Sequence, residues 1–296
     1  MADGSASLRL SRRHAAGAET ARGLLFTVLG EFVLPAGGSA WTAAFIEVLG
    51  RLGVEEKASR QALLRTAGDG WLTPERTGRR TCWRLTPSAE QLLTEGTERI
   101  YGFTAVRQQW DGRWLVVLAR APEAERSARH LLRTRMTWAG FGSPAPGVWL
   151  SADADRAADA CSVLTDAGLL ADSQIFRAEQ AGGGELAAMA RSAWDLEEIE
   201  ARYEDFLAEF ASQEAADPLA RLVELVHAWR RFPWIDPVLP AELLPDHWSG
   251  ARAARLFEQR HAVWAGAALA QWQQITQASM PSVAGGALRA AGRRTL

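Results

Sequence analysis

The sequence predicts a multidomain α+β protein, and three features of its pattern support that fold class. Residues 21–86 contain three segments of helical spacing and then a run–turn–run of apolar residues, which is the element order of a winged helix-turn-helix. Residues 110–180 alternate between strand-like and helical runs, which favours a small ferredoxin-like βαββαβ domain. Residues 185–278 are almost wholly helical in spacing, so they predict a helical C-terminal domain.

The composition is that of a soluble protein with sizeable cores. Of the 296 residues, 48% are hydrophobic and 13 are tryptophan, so the chain can form two or three domains. Cys82 and Cys161 are too few for a disulfide framework and lack CxxC spacing, which indicates a reducing compartment. No secretory signal and no apolar run of membrane length is visible. We therefore expect a cytoplasmic protein without a membrane partner.

The charge is distributed unevenly along the chain. The net charge is −2, yet residues 22–86 contain nine Arg/Lys and six Asp/Glu, whereas residues 87–296 carry a balance of −6. A basic N-terminal part followed by an acidic remainder predicts an N-terminal domain that binds a polyanion. Lys57 is the only lysine, so arginine is the ordinary cation of this chain. The local clustering of arginines therefore carries more weight than their number.

The first two helices are predicted from capping residues and apolar spacing. Residues 1–20 are expected to be a flexible arm, and Thr20 is expected to cap a helix that runs to about Val33. Ser39 is expected to cap a second helix, which Gly53 ends. The apolar stripes of the two helices are formed by Leu25, Val28, Leu29 and Phe32 and by Phe45, Val48, Leu49 and Leu52.

The third helix, from about Glu55 to Asp69, has one polar face. At about 100° per residue, this face holds Lys57, Arg60, Gln61, Leu64 and Arg65, and the opposite face holds Ser59, Ala62, Leu63 and Thr66. Because arginine can recognise guanine and glutamine can recognise adenine in the major groove, this face suits a recognition helix. A solvated amphipathic helix is the alternative interpretation.

A basic β-hairpin is predicted directly after this helix, in the segment WLTPERTGRRTCWRLT at residues 71–86. Its turn is expected at Thr77–Gly78, and no acidic residue lies between Arg76 and Arg84. A guanidinium group can hold two phosphate oxygens at once. The helix and the hairpin together predict a DNA-binding domain over residues 21–86.

The remaining elements follow from proline, glycine and apolar spacing. Residues 87–109 are predicted to form a linker helix, with Pro87 in its first turn. The segment at residues 232–245 contains four prolines, so we expect an extended loop there. Residues 279–296 are expected to be a flexible tail. In the central domain, strands are predicted at 114–119, 148–150 and 173–177, helices at 122–137 and 153–167, and a loop at 140–146.

Four motifs, in order, resemble the PaaX-type transcriptional repressors, which regulate phenylacetic acid catabolism. The motifs are LLFTVLGEFVLP, GWLTPERTGRRTCWRLT, FGSPAPGVWLS and FPWIDPVLPAELLPDHW, and the resemblance is collinear over about residues 22–276. It implies a winged helix domain, a central ferredoxin-like domain similar to Cas2, and a helical C-terminal domain. It also implies a homodimer that binds double-stranded operator DNA with an inverted repeat and is released by an acyl-CoA such as phenylacetyl-CoA.

The candidate DNA-binding residues come from two sources. The resemblance carries a helix-and-wing contact over to Arg60, Arg65, Arg79 and Arg80. Gln61 and Arg76 are added from helix geometry and charge alone.

An effector site is predicted in the last third of the chain. Many aromatic residues lie in the last third of the chain, and core packing explains most of them. A subset could line an apolar pocket for an aryl or acyl group. The candidate effector-binding residues are Arg230, Arg231, Trp234 and Trp264, with the two arginines directed at a CoA phosphate.

A nuclease and a non-catalytic scaffold are the alternatives to a DNA-binding regulator. A Cas2-like nuclease needs an aspartate at the carboxyl end of the first strand, and here that strand ends in Ala119-Arg120-Ala121, with Asp111 at the opposite end. The sequence offers no catalytic residues, no metal site and no cofactor motif, so we expect a protein that is not an enzyme. The leading alternative is a non-catalytic scaffold that uses the winged helix for protein contacts.

Overall fold

The computed structural model of the protein describes residues 20–103, 110–119 and 126–280. Most of the predicted arm, the end of the predicted linker helix and all but the first two residues of the predicted tail lie outside these ranges. The described residues form two compact units. The first contains residues 20–96, 215–224 and 264–280, and the second contains residues 97–103, 110–119, 126–214 and 225–263. Helices and sheets occur in both, so the predicted α+β class is confirmed.

The first unit opens with helix α1 (Ala21–Val28), which continues as a π-helical turn over Leu29–Val33. The hydroxyl of Thr20 accepts a hydrogen bond from the backbone N–H of Gly23 at 3.1 Å, so the predicted N-cap is confirmed. The predicted apolar stripe is also confirmed, since Leu25, Val28, Leu29 and Phe32 are buried.

The prediction that Ser39 caps the second helix is wrong. Strand β1 occupies Ser39–Trp41, and helix α2 begins only at Thr42 and ends at Arg51. The strand forms because Ser39 lies opposite Arg84 and Trp41 lies opposite Cys82 in an antiparallel ladder. The backbone hydrogen bonds of this segment are made with β3, which lies far along the chain. The capping residue and apolar spacing that predict a helix here contain no information about that distant strand.

Helix α3 (Glu56–Gly68) and the hairpin of β2 (Leu72–Thr77) and β3 (Arg80–Leu85) complete the basic part of this unit. The three strands form an antiparallel sheet in the order β1-β3-β2. Helix α4 follows at Pro87–Tyr101. The sequence placed the helix and the hairpin within two residues of their observed bounds.

The end of a distant helix packs against α2 and the π-helical turn. Helix α11 runs from Gly250 to Ser279, and its Trp272 stacks on Phe32 with ring centroids 5.5 Å apart. The same indole meets Phe45 at 6.4 Å, and Trp272 is 1% exposed. Helix α9 (Pro218–Trp229) joins this part of the unit through a hydrogen bond from Leu219 N–H to the side chain of Gln271.

The second unit contains a four-stranded antiparallel sheet formed by β4 (Arg113–Leu118), β5 (Gly142–Ala145), β6 (Val148–Ser151) and β7 (Gln174–Glu179). The strands lie in the order β5-β6-β4-β7. Its core includes Leu115, Met136, Phe141, Trp149 and Leu164. Strand β5 lies inside the predicted loop 140–146, so that part of the prediction is wrong; this short strand contains Gly and Pro and forms by pairing with β6. Two helices lie between these strands in the chain: α5 (Arg126–Trp138) follows β4, and α6 (Ala157–Asp166) follows β6.

Helices α7 (Leu186–Ala193), α8 (Leu196–Glu209) and α10 (Phe232–Ile235) also belong to the second unit. The segment 232–245 is not wholly extended as predicted, because α10 and a 3₁₀ turn at Ala241–Leu243 interrupt it. Its start is fixed by aromatic packing: Phe232 stacks on Tyr203 with centroids 4.1 Å apart, and the Tyr203 hydroxyl donates to Asp236 at 2.7 Å. None of the described helices is long and apolar enough to cross a membrane.

Replacing Trp272 by alanine tests the packing of α11 in the first unit. We expect Trp272→Ala to lower the free energy of unfolding by about 3–5 kcal/mol, because it removes a buried indole and leaves a cavity beside Phe32 and Phe45. Urea denaturation followed by circular dichroism measures the change. Gln273→Ala, on the exposed side of the same helix, is the matched control. Equal stability of the two variants would contradict the packing described here.

Candidate nucleic-acid interface

Helix α3 presents its two faces as the sequence predicted. Ser59, Ala62, Leu63 and Thr66 are buried at 4% exposure or less. Ser59 also donates its hydroxyl to the carbonyl of Glu55, which holds the first turn. The opposite face is exposed and consists of Lys57, Arg60, Gln61, Leu64 and Arg65. Lys57 and Leu64 were placed on this face by the sequence, but neither was included among the candidate contacts.

The hairpin after α3 is exposed over most of its length. Thr77 pairs with Arg80, so Gly78 and Arg79 form a two-residue turn. Gly78 has φ = 60°, a left-handed backbone conformation that glycine adopts without strain. Residues 73–80 are all exposed, whereas Leu72 and Leu85 at the base are buried. The base is therefore fixed in the core, and the tip projects into solvent.

The hairpin arginines differ in whether an acidic side chain neutralises their charge. Arg84 is paired with Glu75 across the two strands, with Nε 2.7 Å from the Glu75 carboxylate. This hydrogen bond holds the pKa of Glu75 below its usual value and raises that of Arg84. Within the part of the chain that the structure describes, Arg76 and Arg79 have no ion pair. Among the described residues, their charges are therefore not neutralised by an acidic side chain.

The remaining predicted contacts have partners of different kinds. Arg60 is paired with Glu56 one turn earlier on α3, at 2.7 Å. Arg80 donates through Nη1 to the carbonyls of Ser279 at 3.0 Å and Met280 at 2.8 Å. Gln61 and Arg65 have no side-chain partner among the described residues.

Helix α3, the hairpin and the end of α11 line one cleft. The cleft has a volume of about 780 Å³ and includes Arg60 from α3, Arg79 and Arg80 from the hairpin, and Ser279 from α11. Of the predicted DNA-contacting residues, the structure thus brings together Arg60 from the helix and Arg79 and Arg80 from the hairpin. Its two lining carboxylates, Glu47 and Glu56, are already paired with Arg51 and Arg60.

This arrangement is suited to an extended anion. An α-helix fits the major groove of B-DNA with its side chains on base edges, and arginines on a neighbouring loop can hold phosphates. The described residues contain no group of three or more His, Cys, Asp or Glu side chains that could hold a metal ion. Asp111 precedes the first residue of β4, where its carboxylate accepts a hydrogen bond from the N–H of Arg113.

The four candidate effector residues are divided between the two units. Trp264 belongs to the first unit, is 2% exposed, and packs against the guanidinium of Arg221. Arg230, Arg231 and Trp234 belong to the second, at the end of α9 and in α10.

The second unit also contains two adjacent arginines, Arg230 and Arg231, that have no ion pair with any residue the structure describes. The Nε of Arg230 is buried and has no hydrogen-bond acceptor among the described residues. Burial, together with the charge of Arg231, lowers the pKa of Arg230 to about 10. Trp234 is covered by the guanidinium of Arg99, which lies 3.9 Å from the ring centroid. The sequence did not identify Arg99 as part of this group.

Comparison with known proteins gives consistent matches along the chain. Residues 20–89 match the family model of the PaaX-like protein, residues 107–190 that of the PaaX protein central Cas2-like domain, and residues 194–274 that of the PaaX-like protein C-terminal domain. The transcriptional repressor PaaX of Escherichia coli (strain K12) is 31% identical over 247 residues, which cover 79% of this chain and 77% of that protein. Among solved structures, the uncharacterized protein Rv0674 from Mycobacterium tuberculosis aligns with a TM-score of 0.59 at 25% identity, over 88% of this chain and 100% of that one.

The Glu75–Arg84 pair has a defined dependence on pH. Because the folded pKa of Glu75 lies below its unfolded value, the pair stabilises the hairpin above the unfolded pKa and ceases to do so as the pH falls through the folded pKa. We expect Arg84→Gln to raise the pKa of Glu75 towards its ordinary value, as followed by NMR titration of labelled glutamate. Arg79→Gln is the control that leaves the pKa in place. If the pKa of Glu75 is unchanged in the Arg84→Gln variant, the pair does not form.

Proposed function

The chain belongs to the PaaX family of transcriptional repressors, and we propose from that membership that it is a dimeric DNA-binding regulator that represses aromatic-acid catabolic genes. The resemblance inferred from four sequence motifs is thereby confirmed. Repressor membership also favours a non-enzymatic role. A regulator of transcription acts on the genome, so we expect the protein in the cytoplasm.

The proposed architecture follows the boundaries expected from the sequence. Residues 21–86 form a winged helix-turn-helix in this proposal, which is supported by the order α1-β1-α2-α3-β2-β3. Helix α4 links this module, in the same proposal, to a ferredoxin-like domain expected over residues 110–180 and a helical C-terminal domain expected over residues 185–278. The antiparallel order β5-β6-β4-β7, with one helix after β4 and one after β6, supports the ferredoxin-like assignment.

The observation that carries the DNA-binding proposal is the exposed polar face of α3 beside a hairpin with unneutralised arginines. We propose that α3 enters the major groove, where Arg60, Gln61 and Arg65 contact base edges. Arg76, Arg79 and Arg80 then hold the backbone through the hairpin. Lys57 lies on the same exposed face of α3 and adds a phosphate contact.

A homodimer places two such modules on one duplex. Two-fold symmetry of the protein requires an inverted-repeat operator, with half-sites about 34 Å or a multiple apart so that both α3 helices face the same side of the DNA. The dimer rests on the family resemblance.

The proposed effector is an acyl-CoA, with phenylacetyl-CoA as the first compound to test. The support in the second unit is the unpartnered Nε of Arg230, next to Arg231 and close in sequence to Trp234. An acyl-CoA has anionic phosphate groups, which suit the arginines, and an apolar acyl group, which suits an aromatic side chain. Such a ligand releases DNA only if it binds the conformation with low DNA affinity more tightly.

The salt dependence of binding tests the hairpin arginines. We expect the protein to bind duplex DNA from its own upstream intergenic region with an affinity that falls steeply with salt. Arg76→Gln with Arg79→Gln should make the slope of log K against log salt less negative by about 2 per chain, because two phosphate contacts are lost. Fluorescence anisotropy at several salt concentrations measures this slope.

The matched control is Glu75→Gln with Arg84→Gln, which removes a neutralised pair and leaves the net charge unchanged. This variant should keep the wild-type slope. An unchanged slope in the Arg76/Arg79 variant would remove the hairpin from the DNA interface. Wild-type binding that barely responds to salt, or no DNA binding, would favour a protein-interaction scaffold instead.

The effector proposal has a separate test. We expect phenylacetyl-CoA to bind the wild-type protein in calorimetry and to weaken its DNA binding. Arg230→Ala with Arg231→Ala should reduce the ligand affinity about 10-fold or more, because each charged hydrogen bond contributes about 1.5–3 kcal/mol. Arg255→Ala, an exposed arginine of the second unit, is the control. An affinity unchanged by the double substitution would exclude these arginines from the ligand site.

A further inference from the structure

The proposed DNA contacts use every residue of the exposed α3 face described above except Leu64. Its side chain is 62% exposed, more than that of any other large apolar residue among those the structure describes. Leu63, the preceding residue, is fully buried, so α3 turns one of two successive leucines into the core and the other outward. Because most of the Leu64 side chain stays in water, a polar residue would serve the fold about as well.

Leu64 lies between the two side chains that are proposed to contact bases first along α3. At about 100° per residue, it lies about 40° around the helix from Arg60 on one side and about 60° from Gln61 on the other. It is also about 6 Å further along the helix axis than Arg60 and about 4.5 Å further than Gln61. Successive base pairs are about 3.4 Å apart, so Leu64 reaches a base one or two steps from the base that Gln61 contacts.

The surroundings of Leu64 favour DNA as its partner. An isolated exposed leucine is ordinary on a protein surface. Here, however, the neighbouring side chains on the same face are the cations of Lys57, Arg60 and Arg65, which attract a polyanion and oppose burial against an apolar protein surface. The face is also open beyond Leu64, because Gly68 follows one turn later and a β-carbon at that position would have no side chain within 4 Å.

We propose that Leu64 is a specificity-determining residue that contacts the C5-methyl group of a thymine in each operator half-site. This inference rests on the proposed DNA-binding function and adds to it a base that α3 selects through an apolar contact. Of the four bases, only thymine presents an apolar group in the major groove. The other bases present hydrogen-bonding groups there, which a leucine would leave without a partner. Because adenine pairs with thymine, a base pair that suits Gln61 carries such a methyl group in the same groove.

Removal of single methyl groups from the DNA tests this contact. The half-sites are located by footprinting of the full-length protein on its upstream intergenic DNA. Each thymine is then replaced, symmetrically in both half-sites, by deoxyuridine, which pairs in the same way but lacks the methyl group. At one position we expect the wild type to lose about 4-fold in affinity for each half-site, because a methyl-sized apolar group is no longer buried. Fluorescence anisotropy at constant salt measures the two affinities.

The Leu64→Ala variant distinguishes a base contact from a structural role. It should bind the thymine duplex more weakly than the wild type does, and it should bind the thymine and deoxyuridine duplexes equally well. Its slope of log K against log salt should stay at the wild-type value, because no phosphate contact is lost. Leu269→Ala, at an exposed leucine of α11 in the same unit, is the matched control. It should keep both the affinity and the thymine preference, and circular dichroism should show the same melting temperature for all three proteins.

The possible failures of the inference and of the proposed function are distinct. Wild-type binding with no position sensitive to deoxyuridine would overturn this inference and leave the proposed function intact. A thymine preference that persists in Leu64→Ala would assign methyl recognition to another residue and would also overturn it. Equal affinity of Leu64→Ala and the wild type for the thymine duplex would overturn it as well, and would favour a protein partner for this leucine. A wild type that binds no DNA would overturn the proposed function itself.

Discussion

The antiparallel pairing of β1 with β3 is the constraint on which the rest of the candidate interface depends. It brings Ala40 opposite Trp83, and the Trp83 indole donates to the hydroxyl of Thr42, which in turn donates to the carbonyl of Thr81. Trp83 is 6% exposed, and removal of a buried tryptophan typically costs about 3–5 kcal/mol, more than the roughly 1 kcal/mol of one neutral hydrogen bond. Burial therefore fixes the base of the hairpin, and the hydrogen bonds fix its register on the first turn of α2. With this base held in place, Arg79 and Arg80 of the hairpin share a cleft with Arg60 of α3.

The acidic neighbours of each arginine decide whether its charge is available to an anion. Arg84 is neutralised by Glu75, whereas Arg76 and Arg79 on the same hairpin have no ion pair among the described residues. Arg60, which is paired with Glu56, is intermediate between the neutralised Arg84 and the unpaired Arg76 and Arg79. Both side chains are more than half exposed, and a surface pair one helical turn apart contributes about 0.3–0.5 kcal/mol. Under the proposed function, a base contact of about 1–3 kcal/mol outweighs this pair, so the pair does not prevent Arg60 from contacting a base.

Sequence reasoning succeeded where the signal was local and failed where the partner was distant. The faces of α3 follow from helical periodicity, the hairpin from a glycine between two apolar runs, and the cap at Thr20 from one side chain three residues before its donor. Strand β1 was missed because its partner, β3, lies about 40 residues later, and β5 was missed because its four residues pair with β6 despite a weak strand composition. The Arg80 contact with Ser279 and Met280 joins residues about 200 positions apart, so no local pattern contains it. The effector candidates could be selected by residue type, but no local pattern assigns Trp264 and Trp234 to different units.

Helix α11 ends on the hairpin through Arg80, so under the proposed function this contact is one place where a ligand could alter DNA binding. A coupling of 5- to 150-fold between ligand and DNA corresponds to about 1–3 kcal/mol. Hydrogen bonds from a charged donor contribute about 1.5–3 kcal/mol when well shielded, and less at an exposed site such as that of Arg80. The loss of this one anchor is thus of the right order to account for modest regulation, without any change in the core of either unit. Linkage also requires that DNA weaken the ligand by the same factor, so under the proposed function the operator and the effector exclude each other to an equal degree.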